Sequence, residues 1–238
     1  PHGKSAHSPF LWSLSLGKFR QGQASRNPST YIKGATGVKI PHRLKAKIMA
    51  SIRIISGSHR GRVLKIPPAS ITRPAMDRVR ESVFNIIAHQ VDPLSGKNIL
   101  ENAHVLDAFA GSGSMGFEAL SRGASHVTFM ENNSKALSVL KENTALLRAE
   151  KQVSVLASDA THPPHPTQPC TLIFIDPPYG KDLVLPCLQA LDEMGWIFED
   201  TLIVCEIASK EKLILPATFH LEEERSYGTA KIVFIKPS

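Results

Sequence analysis

The fold is decided by residues 104–116, which read HVLDAFAGSGSMG. An apolar run up to Phe109 is typical of a buried strand, and Gly111, Gly113 and Gly116 follow it in the GxGxxG pattern that opens a helix. Glycines at such a turn let the backbone approach a ligand closely, and the N-terminus of the following helix favours polar or anionic groups. The stretch therefore predicts one half of a site for a nucleoside-containing cofactor.

The same order of strand, turn and helix continues through the rest of the chain. Further strand-like runs are His126–Glu131, Val153–Ala157, Thr171–Ile175 and Thr201–Ile207, with helices predicted at about 114–122, 134–148 and 182–194. This alternation predicts an α/β fold built from right-handed βαβ units, with a mostly parallel sheet covered on both faces. The last runs, Phe219–Arg225 and Ala230–Lys236, are too close for a crossover helix, so we expect an antiparallel hairpin at one edge.

Acidic residues at the ends of the strands complete the predicted cofactor site. Glu131 stands 20 positions after Gly111, where a carboxylate accepts hydrogen bonds from ribose hydroxyls. This pattern alone permits either a dinucleotide or S-adenosylmethionine (SAM). Asp107 favours SAM, because its carboxylate would hold a cationic amino group but would repel a pyrophosphate. Asp159 is placed either to accept from an adenine amino group or to close a structural turn.

The apolar strand at Thr171–Ile175 runs into Asp176-Pro177-Pro178-Tyr179. Two prolines stiffen this turn and remove two backbone donors, so it presents rigid carbonyl acceptors and an aromatic face. Asp176 and the Pro177 carbonyl would accept the two N–H groups of an exocyclic base amine and direct its lone pair at a methyl donor. Tyr179 would stack on a base swung out of its helix. We interpret this turn as catalytic rather than as a stiffened strand exit.

Positive charge is concentrated ahead of this α/β region. Residues 49–80 contain seven Lys or Arg and one acid, whereas residues 81–238 carry a net charge of −8. Short strands at Arg53–Ser56 and Arg62–Ile66 and a helix from Asp77 to about Gln90 are expected there. Six arginines form a predicted phosphate-binding surface for RNA: Arg53, Arg60, Arg62, Arg73, Arg78 and Arg80.

Residues 1–48 contain nine Lys or Arg and no acid, within a net charge of +7 for the whole chain. Without sustained apolar periodicity they are predicted to be a disordered leader. They are interpreted as a transit peptide, an RNA-binding tail or, because Met49 precedes the first strand, upstream sequence outside the working protein. The predicted domains are thus the leader 1–48, an RNA-binding hairpin and helix at 49–103, and a SAM-binding catalytic domain at 104–238.

Several classes of protein are disfavoured by composition. No apolar run reaches the roughly 18–20 residues of a membrane span. Three cysteines without CxxC spacing argue against a disulfide framework and a zinc site, so no metal is expected. We expect a monomer in the cytoplasm, or in an organelle if the leader is a transit peptide.

From about Ser51 to Lys236 the chain resembles the bacterial RsmD family, SAM-dependent methyltransferases that modify N2 of a guanine in small-subunit (16S) ribosomal RNA. The matching pieces are Arg53 to Gly57, Arg60 to Arg62, Arg73-Pro74, Asp77 to Glu81, Phe84-Asn85, Asp107 to Gly116, Glu118 to Ala124, Glu131-Asn132 and Asp176 to Tyr179. Asp-Pro-Pro-Tyr alone is shared with many amino-methyltransferases, whereas the basic opening with Ser121-Arg122-Gly123-Ala124 is more specific.

The resemblance implies a Rossmann-like methyltransferase fold with a seven-stranded sheet. It also implies that the partner is RNA within an assembled or assembling small subunit. It implies that SAM is held by Asp107, Phe109, Ala110, Gly111, Ser112, Gly113, Glu131, Asn132, Asp159 and Ala160. Ala75-Met76 departs from the family, since two threonines are expected there, and puts any hydroxyl contacts in doubt.

Three other functions stay open on sequence alone. A DNA adenine methyltransferase shares the Asp176–Tyr179 turn, although little of the chain is left for a DNA-recognition domain. An NAD-dependent oxidoreductase is permitted by the glycine turn with Glu131, but no acid–base group for hydride transfer follows it. A non-enzymatic RNA-binding module would need neither Glu131 nor Asp176.

Overall fold

A computed structural model describes residues 31–33, 39–41, 52–68, 74–91 and 96–238. Within these ranges the chain forms eleven strands and four helices. The strands are β1 (Tyr31–Lys33), β2 (Lys39–Pro41), β3 (Ile52–Arg53), β4 (Val63–Leu64), β5 (His104–Ala108), β6 (His126–Glu131), β7 (Val153–Ala157), β8 (Leu172–Ile175), β9 (Leu202–Ala208), β10 (Phe219–Tyr227) and β11 (Ala230–Pro237). The helices are α1 (Pro74–Ile87), α2 (Ser114–Ser121), α3 (Ser134–Leu147) and α4 (Val184–Glu193).

The central sheet has seven strands in the order β10-β11-β9-β8-β5-β6-β7. The five strands from β9 to β7 are mutually parallel, and β11 and β10 are antiparallel to their neighbours. The predicted mostly parallel sheet with an antiparallel edge hairpin is confirmed. After β5, the strands β6 and β7 are added on one side of β5, whereas β8 pairs with β5 on its other side. This reversal of strand order opens a crevice between the carboxyl ends of β5 and β8.

Both faces of the sheet are covered, as the alternation of elements predicted. On one face α1, α2 and α3 bury Phe84, Phe117 and Leu140 against the sheet. On the other face α4 buries Leu188 and Leu191. Successive residues of the apolar strands face opposite cores, which leaves the strand ends as the place for polar side chains.

The small antiparallel pair of β3 and β4 is shorter than the sequence predicted, because other groups capture its backbone donors. The N–H groups of Ile55 and Ser56 donate to the Glu118 carboxylate of α2 at 2.7 and 3.0 Å. The N–H of Lys65 donates to the Asn143 side chain of α3 at 2.8 Å. Each predicted strand therefore ends where a helix side chain replaces the strand partner.

The turn between β3 and β4 is fixed to the end of α2. The Ser121 carbonyl accepts from the Ser58 N–H at 2.7 Å, and the Ser121 hydroxyl accepts from the His59 N–H at 2.9 Å. A Cβ added at Gly57 would lie 1.7 Å from the Ser121 carbonyl oxygen, so only glycine permits this approach. The basic turn is thus held rigidly on the helix that follows the glycine turn.

The chain divides into two compact units, Pro1–Lys45 and Ala46–Ser238. In the first, β1 pairs with β2 in antiparallel fashion, and the rest of the predicted disordered leader lies outside the described residues. The second unit contains all remaining elements, so the hairpin and α1 share one unit with the α/β region. The division near residue 104 stays a prediction about roles.

Candidate cofactor and target site

The glycine turn leaves β5 in a tight left-handed bend. Phe109, Gly111 and Gly113 all have positive φ, at 73°, 55° and 78°. The Phe109 and Ala110 N–H groups both donate to the Met130 carbonyl of β6 at 3.1 Å. The bend is therefore anchored to the neighbouring strand before α2 begins.

The glycines of this turn serve two different purposes. A Cβ at Gly113 would lie 2.7 Å from both Leu140 and Phe117, and one at Gly116 would lie 2.3 Å from Phe129. Those two glycines allow α2 to pack closely. A Cβ at Gly111 would meet nothing nearer than 4.0 Å, so Gly111 alone borders space that a ligand can fill. The sequence had assigned close ligand approach to Gly113 as well.

Asp107 at the end of β5 is buried and accepts the Gly116 N–H at 2.9 Å. Desolvation raises its pKa to about 7, with a further contribution from the Glu131 carboxylate. A buried carboxyl with a raised pKa is stabilised in its charged form by a nearby cation. This environment suits the cationic amino group for which Asp107 was predicted.

Glu131 at the end of β6 already holds three backbone donors. One oxygen accepts the Gly111 N–H at 2.9 Å, and the other accepts the Asn132 and Asn133 N–H groups at 2.9 and 2.7 Å. The predicted cofactor residues Glu131 and Gly111 are thus directly joined. Carboxylate oxygens have two lone pairs each, so this network leaves capacity for hydroxyl donors.

Asp159 lies at the same edge, since the Ser158 N–H donates to the Glu131 carbonyl at 3.2 Å. Its Oδ1 accepts the Thr161 N–H at 2.9 Å and the Thr161 hydroxyl at 2.8 Å, and these bonds lower the pKa of Asp159. The structural turn considered for this residue is therefore present. Asp159 is exposed whereas Ala160 is buried, so only the former offers its side chain to a ligand.

The Asp176–Tyr179 turn follows β8 at the opposite side of the crevice. The register of Ala108 with Ile175 brings Asp176 beside the start of the glycine turn. Pro177 is buried, whereas Tyr179 is 59% exposed and its hydroxyl donates to Glu206. The exposed ring agrees with the aromatic face that the sequence predicted.

Asp176 opens into a concave pocket between α1 and the ends of β8 and β9. The lining includes Asp77, Arg80, Met115, Phe174, Asp176 and Glu206. Asp176 keeps access to solvent there, but desolvation, Glu206 and Asp107 together raise its pKa well above the ordinary value. Burial disfavours the charged form of Asp176, and the nearby carboxylates of Glu206 and Asp107 add like-charge repulsion.

Sequence reasoning missed Glu206 and Asn143. Glu206 is the one charged residue of the apolar strand β9, which was an available signal. Asn143 is fully buried in α3 and donates to the Lys65 and Ser112 carbonyls, both at 3.0 Å. This single amide therefore joins the exit of β4 to the glycine turn.

The six predicted RNA-binding arginines do not form one surface. Arg53, Arg60, Arg62 and Arg78 are exposed, and Arg73 lies outside the described residues. Arg80 corrects the prediction, because it is 5% exposed, donates to the Arg53 carbonyl at 2.8 Å and pairs with Asp77 at 3.1 Å. The structure also does not describe the side chains of Ala75 and Met76, which stand where two threonines were expected.

Metal-binding clusters and membrane-spanning helices are both absent from the part of the chain that the structure describes. It contains no group of three or more His, Cys, Asp or Glu residues arranged to hold a metal ion. None of its helices has the length and apolar character needed to cross a membrane.

The sheet order, the glycine turn after β5 and the acidic end of β6 define a Rossmann-like methyltransferase fold. The family model described as "Conserved hypothetical protein 95" matches residues 52–236. The chain belongs to this family, the RsmD family of methyltransferases.

Individual relatives agree with this assignment. Ribosomal RNA small subunit methyltransferase D of Escherichia coli is 34% identical over 178 residues, covering 74% of this chain and 85% of that protein. The protein of the same name from Haemophilus influenzae is 34% identical over 181 residues, covering 74% and 89%. The solved structure of yhhF from Escherichia coli, described as a candidate methyltransferase, has a TM-score of 0.68 at 33% identity and covers 79% of this chain and 98% of its own.

Proposed function

We propose that the protein transfers a methyl group from SAM to the exocyclic N2 amine of a guanine in small-subunit ribosomal RNA. The observation that carries the proposal is the Asp176–Tyr179 turn at the end of β8, directly beside the glycine turn that follows β5. Relatives named as small-subunit ribosomal RNA methyltransferases support the choice of RNA.

The residues at the ends of β5, β6 and β7 fit SAM. Gly111 borders open space, Asp107 favours a cationic group, and the Glu131 carboxylate can accept from ribose hydroxyls. Asp159 retains a second carboxylate oxygen for an adenine amine, and Phe109, Ala110, Ser112, Gly113, Asn132 and Ala160 complete the proposed lining. When bound, SAM supplies an electrophilic methyl group on a positively charged sulfur.

On the target side, Asp176 and the Pro177 carbonyl would accept the two N–H groups of the amine, while the ring of Tyr179 stacks on the base. The nitrogen lone pair is thereby directed at the methyl carbon. The methyl group on the sulfur of SAM would be transferred to this nitrogen, and the carbon–sulfur bonding pair would stay on sulfur. The methylated nitrogen then loses one proton, for which the Asp176 carboxylate is an adjacent acceptor.

RNA would approach over the exposed arginines Arg53, Arg60, Arg62 and Arg78, with Arg73 as a further proposed contact. Contacts of this kind neutralise phosphates and position the RNA without reading its bases. The fixed attachment of the basic turn to α2 supports this role, since it keeps the arginines at a constant distance from the glycine turn. We further propose that the protein acts as a monomer in the cytoplasm, on an assembled or assembling small subunit.

The proposal is tested by methyl labelling of small ribosomal subunits that lack the modification, followed by mapping of the labelled base. We expect label on N2 of one guanine. Asp176→Ala should lower transfer by about 1,000-fold or more while SAM affinity stays within about 2-fold. Asp192→Ala, on the exposed side of α4, is the matched control and should retain activity. Label on DNA adenine, or full transfer by Asp176→Ala, would contradict the proposal.

A further inference from the structure

A second carboxylate, Glu206, stands next to Asp176 at the carboxyl end of the sheet. β8 and β9 are parallel, and their register pairs Phe174 with Val204 and Ile175 with Cys205. The next residues along are Asp176 and Glu206. Because alternate residues face the same side of a sheet, both acids lie on the face of Phe174 and Val204, toward α1.

The surroundings of Glu206 are those of a binding site. Glu206 lines the same pocket as Asp176, between the apolar side chains of Phe174, Val204 and Ile232. Desolvation raises the pKa of Asp176, and the charge of Glu206 raises it further. The Tyr179 hydroxyl donates to Oε1 of Glu206, which orients the carboxylate and leaves Oε2 for another donor.

The chemistry of the pocket matches one edge of guanine. Guanine presents a protonated ring nitrogen, N1–H, directly beside its N2 amine, whereas adenine and cytosine present an unprotonated ring nitrogen beside theirs. Two adjacent carboxylates accept from two adjacent donors, and a carboxylate placed against an unprotonated nitrogen is repelled. Bases taken out of a stack are commonly read on this edge.

We propose that Glu206 accepts the N1–H of the target base while Asp176 holds its N2 amine, so that Glu206 selects guanine. This inference rests on the proposed function and adds a residue that specifies the base. Arg80 lines the same pocket, and within the described residues its buried Nε has no hydrogen-bond partner. A positively charged donor at this place is consistent with a base that also carries an acceptor oxygen at O6.

The test compares two substrates that differ on the proposed edge. Small subunits are reassembled with 16S ribosomal RNA that carries either guanosine or 2-aminopurine at the nucleotide methylated by the unaltered protein. 2-Aminopurine keeps the N2 amine but has an unprotonated N1 and no O6. The measured quantity is the ratio of kcat/KM for guanosine to kcat/KM for 2-aminopurine, which a merely structural role of Glu206 would not change.

We expect the unaltered protein to prefer guanosine by about 100-fold or more, because an unpaired buried acceptor is strongly rejected. Glu206→Gln should lower the rate on guanosine about 10-fold and reduce the preference at least about 10-fold, since the amide can donate to the unprotonated N1. Glu206→Asp keeps the charge and should keep the preference at a lower rate. Glu224→Gln, on the exposed strand β10, is the matched control and should leave both values unchanged.

The outcomes separate the inference from the proposed function. If the unaltered protein labels no guanine N2 on small subunits, both are wrong. If it labels guanine and Glu206→Gln keeps the original preference, the inference alone is wrong. Melting temperature and SAM affinity of each variant establish that the folded, cofactor-binding protein is being compared. If Glu206→Gln does not fold, Glu206→Ala takes its place, because it also removes the acceptor and should reduce the preference at least about 10-fold.

Discussion

The cofactor half and the target half of the crevice differ in how their acidic side chains are hydrogen-bonded. At the end of β6, both oxygens of Glu131 accept backbone N–H groups, including that of Gly111. At the end of β8, none of the described residues donates a hydrogen bond to Asp176, and desolvation, followed by the Glu206 and Asp107 carboxylates, raises the pKa of Asp176. The cofactor half is therefore organised by the protein's own hydrogen bonds, whereas the target half keeps a solvent-accessible acceptor that a donor-rich ligand can occupy.

This difference predicts that, among the changes to SAM binding, the largest follows from replacing Glu131. Glu131→Ala leaves three backbone N–H groups of the turn without their acceptor, so we expect SAM affinity to fall by about 100-fold and stability by about 1–3 kcal/mol. Titration calorimetry with SAM and a denaturant melt measure the two effects. Asp176→Ala is the comparison, because it should reduce transfer and spare SAM binding. Equal SAM affinity in Glu131→Ala and the unaltered protein would contradict the role of Glu131 in organising the cofactor half.

The two positive-φ glycines of the turn separate binding from packing. Gly113→Ala places a Cβ 2.7 Å from Leu140 and Phe117, so we expect a loss of about 1–3 kcal/mol in stability. Gly111→Ala meets nothing within 4.0 Å and should cost only the strain of its positive φ, about 1 kcal/mol. SAM affinity should nevertheless fall about 10-fold in Gly111→Ala, because its methyl group occupies ligand space. If Gly113→Ala binds SAM more weakly than Gly111→Ala and the two variants are equally stable, Gly113 and not Gly111 borders the ligand.

A smaller effect concerns the pH dependence of SAM binding through Asp107. Its pKa is raised from 3.8 to about 7, so the folded protein binds a proton that the unfolded chain releases between those values. Stability should therefore fall as pH rises from about 4 to about 7 and level off above that. A cationic ligand favours the ionised carboxylate, so SAM affinity should rise up to about 10-fold from pH 6 to pH 7. Asp107→Asn should flatten this rise in calorimetry, and an unchanged slope would exclude Asp107 as the titrating group.

Sequence reasoning succeeded where the information is local. The glycine turn, the apolar strands and the Asp176–Tyr179 turn are contiguous, and the structure has all three elements at the predicted places. Glu206 and Asn143 were missed because their positions depend on strand register and on contacts across more than 60 residues, such as Asn143 with Lys65.

Arg80 was misjudged although a local signal existed. It shares one helical face with Val83, Phe84 and Ile87, all of which are buried. The 3.6-residue period therefore assigned Arg80 to the core, while its charge suggested a surface role. For Arg80, the position on the helix predicts burial correctly, whereas the positive charge predicts exposure wrongly.

The exposed arginines give the smallest expected effect, and one that depends on salt. Arg60 and Arg62 lie on the turn that is fixed to α2, so their replacement should weaken RNA binding without disturbing the glycine turn. For Arg60→Ala with Arg62→Ala we expect KM for subunits to rise about 3- to 10-fold at moderate salt, and the slope of log affinity against log salt to fall by about 2. SAM affinity should not change. Lys151→Ala, on the exposed turn before β7, removes one positive charge outside the basic turn and should leave the slope intact. If Lys151→Ala lowers the slope by about 1, the same amount per lost charge as the arginine pair, the RNA senses the overall charge of the protein and not this turn.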